Sequence, residues 1–207
     1  MKAGIIVNSI QNCSFETLEI CKTCIKNDNL ETLYIFELCG EKIYRKDRIY
    51  IYLKRGFIWI LRAFFMSLVS QIESCIAKKI SIYKHFLYKY DLKELKTNKI
   101  EFIKLKIKFS SSGYSTWVDD VDSNLLKTLN LEFLFNSVGF IWKGDILKCT
   151  KKGVFSFHHA DNNINRGGPP GFWEVYNKED FTGFTIQKLN EKLDDGLVIS
   201  KGKTTTQ

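Results

Sequence analysis

GVFSFHHADNNINRGGPPGFWEVYNKEDFTGFTIQKLNEKLDDGLVI, residues 153–199, concentrates the strand and turn signals of the chain. Val154 to His158 is a short apolar run closed by Gly153 on one side and polar residues on the other, which predicts a buried strand. His158 and His159, two of the three histidines, end that strand and enter a loop, Asp161 to Gly171, that holds both prolines of the chain, Pro169 and Pro170. An imidazole placed there is held by a rigid sheet and stays reachable by a ligand. Phe172 to Lys178 predicts a helix, and Gly183 to Leu189 and Leu197 to Ile199 predict two strands. Asp194-Asp195-Gly196 forms the turn before the last of them, so a histidine and a carboxylate stand at strand ends as a candidate acid–base set.

Toward the N-terminus, Lys2 to Val7 reads as a strand around Ile5-Ile6-Val7, a helix begins near Ser14, and Leu30 to Leu38 is a second strand. Strand, helix, strand favours an α/β domain with a parallel sheet. Ile49 to Lys79 is long, apolar and aromatic. Its richest part, Gly56 to Val69, contains Arg62 and falls short of the roughly 18 residues that a membrane span needs, so no span is expected. A buried or partly exposed helix is expected there, with an interfacial helix bearing Lys54, Arg55 and Arg62 as the alternative. Ile80 to Leu95 continues as helix. Ile100 to Phe109 alternates Ile103, Leu105, Ile107 and Phe109 with Lys104, Lys106 and Lys108, a period of two that predicts a strand with one wet face. Ser110 to Tyr114 is loop, Trp117 to Leu129 helix with acidic residues in its first turn, and Leu131 to Ser137 strand. Gly139 to Trp142 breaks that strand, and Gly144 to Lys151 is a short turn or helix.

The 207 residues are 44% hydrophobic and 26% charged, which fits one globular domain and excludes wholesale disorder or a multi-span membrane protein. Net charge is +8, concentrated in the middle: Glu41 to Lys108 holds 17 Lys/Arg against 6 Asp/Glu. Such a field attracts a phosphate-bearing substrate, nucleic acid or an anionic membrane face, or is simply a solvated basic surface. Aromatic residues fall in long apolar runs and are not interleaved with base-reading residues, so nucleic acid is the less favoured partner. Six cysteines without repeated spacing, and a strand directly after Met1-Lys2, predict a reduced, cytoplasmic chain. Cys21 and Cys24 form one CxxC inside a helical pattern, expected to pack as small apolar residues.

Residues 153–199 resemble the catalytic half of the folate-dependent formyltransferases, which act on methionyl-tRNA, glycinamide ribonucleotide or amino sugars. In that family an Asn-x-His strand end is followed by Arg-Gly-x-x-Pro, Thr-Gly-x-Thr-Ile and Leu-Asp-x-Gly. Here His158, Arg166-Gly167-Gly168-Pro169-Pro170, Thr182-Gly183-Phe184-Thr185-Ile186 and Leu193-Asp194-Asp195-Gly196 occur in the same order. More faintly, Asn136 to Leu147 looks like the family's wall of the folate pocket. The resemblance implies a Rossmann-like formyltransferase domain, α/β with a mostly parallel sheet flanked by helices. It spans residues 1–207 as a single domain, with a divergent half at 1–110 and a catalytic half at 130–200. The absence of GxGxxG does not disturb this reading, because a pterin needs no pyrophosphate cradle.

What the resemblance implies for chemistry follows residue by residue. The donor is 10-formyltetrahydrofolate, and a primary amine attacks its formyl carbon. His158 matches the histidine that stabilises the oxyanion, and Asp194 the aspartate that orients it and carries protons. Ser156 stands where the family has asparagine, replacing an amide donor by a hydroxyl; His159, where the family usually has proline, is a candidate to supply the missing donor. Phe140, Ile141, Trp142 and Asp195 are expected at the folate, with Phe140 and Trp142 alternatively core. Arg166, Gly167 and His159 are expected at the acceptor, with a tight turn as the alternative for the first two. The expected acceptor is an amino sugar on a nucleotide diphosphate; an inactive folate- or nucleotide-binding protein of the same fold and a basic nucleic-acid-binding module are the alternatives. The Thr-rich end, Gly202 to Gln207, reads as the capped start of a helix cut short, which predicts self-association into a homodimer through exposed sheet surface.

Overall fold

Strand β1 (Lys2–Val7) has five consecutive buried residues, because it is the centre of a sheet covered on both faces. The computed structural model describes residues 1–40, 56–80, 87–110, 115–161, 171–192 and 195–206. On one side β1 pairs in parallel with β2 (Thr32–Gly40), and β2 in parallel with β3 (Ile100–Phe109). On the other side it pairs with β5 (Phe133–Asn136), which pairs with β7 (Val154–His158), again in parallel. Among the described residues the sheet has nine strands in the order β6 (Ile141–Trp142), β4 (Ser115–Val118), β3, β2, β1, β5, β7, β8 (Phe181–Lys188), β9 (Leu197–Thr205). Antiparallel pairing is confined to β3–β4, β7–β8 and β8–β9, so the sheet is mostly parallel.

Two apolar clusters cover the two faces. Ile5, Leu33 and Ile35 pack with Leu18 and Cys21 of α1 (Phe15–Ile25), whose first turn is capped by the Ser14 hydroxyl accepting from the Thr17 N–H at 3.3 Å. Burial pushes the Cys21 thiol up to about 12. On the other face Ile6, Phe36, Leu105, Leu134 and Val154 meet Leu126 of α3 (Asp120–Thr128) and Trp142.

Several elements differ from expectation. Trp117 opens no helix: Ser115–Val118 is strand β4, with Thr116 and Val118 buried in alternation, and α3 starts only after Asp119, whose carboxylate accepts from the Val121 N–H. Ile141–Trp142, expected as a break, is strand β6, which extends the edge beside β4. Of the expected helix over Ile80 to Leu95, the described part turns inward instead. Tyr90 bridges Cys13, and Leu92 begins a 3-10 turn with its own side chain fully buried. The threonine-rich end is strand as well. β9 (Leu197–Thr205) runs through it against β8 (Phe181–Lys188), with Thr204 opposite Thr182, as β-branched residues favour. Finally, α2 (Phe57–Lys79) is a helix, but no residue of it is buried. Its extension to Lys79 also makes it long and apolar enough to cross a membrane by length and composition. Residues 49–55 of the same expected segment and Ser111 to Tyr114 lie outside the described residues.

Candidate active site

Asn136 ends β5, and Ser156 and His158 lie at the end of β7, the neighbouring parallel strand. Register sets Ile6, Asn136 and Ser156 side by side and continues to Gln187 on β8, while His158 stands opposite Thr185. Opposed residues, and residues two apart on one strand, share a face. Asn136, Ser156, His158, Thr185 and Gln187 therefore converge on one face, around the carboxyl ends of β5 and β7. The strand order reverses between β1 and β5, and open α/β sheets bind ligands at the carboxyl ends beside such a reversal.

Hydrogen bonds fix this face from below. The Asn136 amide, 4% exposed, donates to the Val138 carbonyl at 2.8 Å and approaches the Ser156 hydroxyl at 3.4 Å. Its carbonyl oxygen accepts from Trp142 Nε1 at 2.8 Å. The Ser156 hydroxyl in turn donates to the backbone carbonyl of Asn136 at 3.2 Å. His158 is half-buried, with its Nε2 shielded from solvent. Behind it, Thr185 and Gln187 are buried polar residues.

His159 points the other way. Its ring packs at 4.8 Å against Phe157, which alternates away from Ser156 and His158. Desolvation by its neighbours pushes its pKa below the ordinary imidazole value, His158 adds to the shift, and Glu16 at the start of α1 opposes it. The geometry thus brings Ser156 and His158 together and leaves His159 on the α1 side.

The four residues expected at the folate divide between core and surface. Trp142 is 1% exposed, part of the core, and serves Asn136. Phe140 packs edge-on against Phe109 at 5.3 Å, and Ile141 pairs with Ser115. Asp195 is exposed in the β8–β9 hairpin, with its carboxylate 3.7 Å from Lys192. Lys143 Nζ donates to the Glu191 carbonyl, so the segment after β6 and this hairpin are adjacent. Phe155 pairs with Lys188 and His158 with Thr185, so the hairpin stands beside the lower part of β7. Asp194, Arg166 and Gly167 lie outside the described residues. Among the described residues no group of three or more His, Cys, Asp or Glu could hold a metal ion.

Asn136, Thr185 and Gln187 join the candidate set only here. Their signal in the sequence is a polar residue at an inward position of a strand, visible only once register is known.

No family model matches the chain. Over 85 residues it is 32% identical to the bifunctional polymyxin resistance protein ArnA of Wigglesworthia glossinidia brevipalpis, which covers 41% of this chain and 12% of that protein. Over 81 residues it is 33% identical to the methionyl-tRNA formyltransferase of Prochlorococcus marinus (strain MIT 9312), covering 39% of this chain and 25% of that protein. The chain thus matches a quarter or less of the length of these relatives. Among solved structures, phosphoribosylglycinamide formyltransferase from Anaplasma phagocytophilum superposes over 100% of this chain and 72% of its own, with a TM-score of 0.52 at 10% identity. The fold is the Rossmann-like fold of the formyltransferases, and the folate-dependent formyltransferases are the family this chain resembles.

Proposed function

We propose that this chain transfers a formyl group from 10-formyltetrahydrofolate to a primary amine. The observation that carries the reading is the shared face of Ser156 and His158 at the carboxyl end of β7, with the Asn136 amide buried beside them. Attack of the amine nitrogen on the formyl carbon gives a tetrahedral oxyanion; the bond to the folate nitrogen then breaks, the amine loses a proton and the folate nitrogen gains one. His158 donates to the oxyanion, Ser156 adds a hydroxyl donor directly or through water, and Asp194 orients His158 and moves the proton. Phe140, Ile141 and Asp195 bound the folate, while Trp142 acts beneath them by holding Asn136. Arg166 and Gly167 are the residues assigned to the acceptor; His159, turned to the α1 side with Phe157, does not share the face of Ser156 and His158. The acceptor we favour is an amino sugar carried on a nucleoside diphosphate, whose phosphates suit the net charge of +8. Free cysteines and a folate donor support a cytoplasmic reaction, and a homodimer is the assembly to test by sedimentation.

A formyl-transfer assay with a panel of amino-sugar nucleotides tests this. Turnover of at least one acceptor, lost in His158→Ala, supports the reading; no turnover with any amine, alongside absent folate binding by calorimetry, overturns it. A second reading has its own observation, the hydroxyl of Ser156 where the family has an amide: a folate-binding protein without activity. Folate binding without turnover selects it.

A further inference from the structure

We propose that α2 (Phe57–Lys79) attaches this protein to the surface of an anionic lipid bilayer, lying along the interface without crossing it. Phe57, Leu61, Phe64, Leu68, Ile72 and Ile76 recur at steps of three and four, forming one stripe, and each is between 39% and 73% exposed. Ile58, Trp59, Phe65, Met66 and Val69 are exposed as well, so apolar surface continues around the helix, interrupted by Arg62, Ser67 and Gln71, with Gln71 Nε2 donating to the Ser67 hydroxyl at 3.3 Å. A soluble surface helix turns its apolar stripe inward. This one presents it outward, an apolar area larger than monomers leave open without a partner.

Topology decides between crossing and lying flat. At 23 residues the helix is about 34 Å long, enough for a hydrocarbon core of about 30 Å. However, α2 connects β2 to β3, which are parallel neighbours in one sheet, paired from Leu33–Ile100 to Gly40–Ile107. A single crossing would leave the two strands on opposite sides of the membrane. After Lys79 the chain is back on the sheet domain at Tyr90, which bridges Cys13. Eleven residues are about half the roughly 20 that a helix needs to return across a bilayer. Residues 41–55 carry eight charges (Glu41, Lys42, Arg45, Lys46, Asp47, Arg48, Lys54, Arg55) and offer no second apolar span. The helix that composition alone would pass as a span is therefore confined to one leaflet.

Charge identifies the occupant. Residues 42–84, which contain α2, hold ten Lys/Arg and two Asp/Glu, a net of +8. Arg62 stacks on the Trp59 ring at 5.7 Å, and Lys78 and Lys79 close the helix. A second copy of this chain would set +8 against +8. An anionic leaflet complements the charge and receives the Phe and Leu side chains.

The test is flotation of the full chain with vesicles of phosphatidylglycerol in phosphatidylcholine against phosphatidylcholine alone. Binding is expected to be roughly tenfold or more tighter to the anionic vesicles, and to fall by at least about tenfold in Phe64→Glu/Leu68→Glu. Both positions are exposed, so the circular dichroism melt of the double variant should match that of the parent. Absent binding to anionic vesicles, equal binding to both kinds, or binding unchanged in the double variant each overturns the proposal. So does a lipid-free dimer in light scattering that the double variant dissociates, with no vesicle binding by either protein.

Discussion

The side-chain amide of Asn136 lies 3.4 Å from the hydroxyl of Ser156, across the register that pairs β5 with β7. An amide thus stands beside the position where the formyltransferases carry one, but on the neighbouring strand. It is also tied down, because Trp142 and the Val138 carbonyl occupy its oxygen and one of its protons. In the proposed reaction Asn136 is a positioning residue that acts through Ser156, whose hydroxyl its amide contacts on the face shared with His158.

Replacing Asn136 tests that arrangement. In Asn136→Ala the buried Trp142 Nε1 loses its acceptor, which costs about 1–3 kcal/mol. Calorimetry should show Tm lowered by about 2–4 °C for each of those kcal/mol. Asn136→Asp keeps the acceptor but not the donor. It should retain more stability than the alanine variant and, in the formyl-transfer assay, lose kcat with KM for the folate little changed.

Loss of an oxyanion donor costs about a hundred- to a thousandfold in rate. His158→Ala should reach that range in kcat while folate binding, read by calorimetry, stays within a few-fold. Ser156→Asn supplies the family's amide on the strand that normally carries it, and kcat is expected to hold or rise. A large loss there would mean that the site is built around the Asn136–Ser156 pair.

Much of this was legible in residue patterns, and the rest was hidden for identifiable reasons. The Ile5-Ile6-Val7 run, the Ser14 cap and the lysine alternation around Leu105 and Ile107 are local signals, and each produced the element it predicts. Ser115–Val118 and Ile141–Trp142 were hidden because four and two residues carry no period; they are strands only because β3 and β4 offer them an edge. The apolarity of α2 reads as a buried or partly exposed helix, or an interfacial one, since composition reports the preference of a helix and not what surrounds it. At the site, His158 was marked by its motif. The Asn136–Ser156 contact joins residues twenty positions apart, and no local pattern encodes register between parallel strands.

The lowered pKa of His159 sets a pH dependence. His159 lies at the surface, but desolvation by its neighbours favours the neutral ring in the folded chain, so as pH falls through the ordinary value of 6.5 the unfolded chain takes up its proton first. Stability from this group is present above that value and is lost as pH falls. Urea midpoints measured from about pH 7.5 to about pH 5 should decline less steeply in His159→Gln than in the parent. An identical slope in the two proteins would remove the assignment.

Gly202 couples the last strand to the end of β7 through aromatic rings. A Cβ at Gly202 would lie 2.2 Å from Cζ of Phe184, its partner across the β8–β9 pair, so the Phe184 ring covers the space that a side chain would need. That ring stacks on Phe157 at 5.6 Å, and Phe157 contacts the His159 ring at 4.8 Å. Gly202→Ala must push Phe184 aside, at a cost of about 1–3 kcal/mol, and the displaced ring shifts Phe157 and His159 in turn. The expected result is a lower Tm together with altered imidazole resonances of His159 in NMR spectra. Gly139→Ala is the matched control, because a Cβ there meets nothing within 4 Å, and it should leave both readouts unchanged. A Gly202→Ala protein with parental Tm and parental His159 resonances would show that the aromatic stack does not link β9 to the strand end that bears His158.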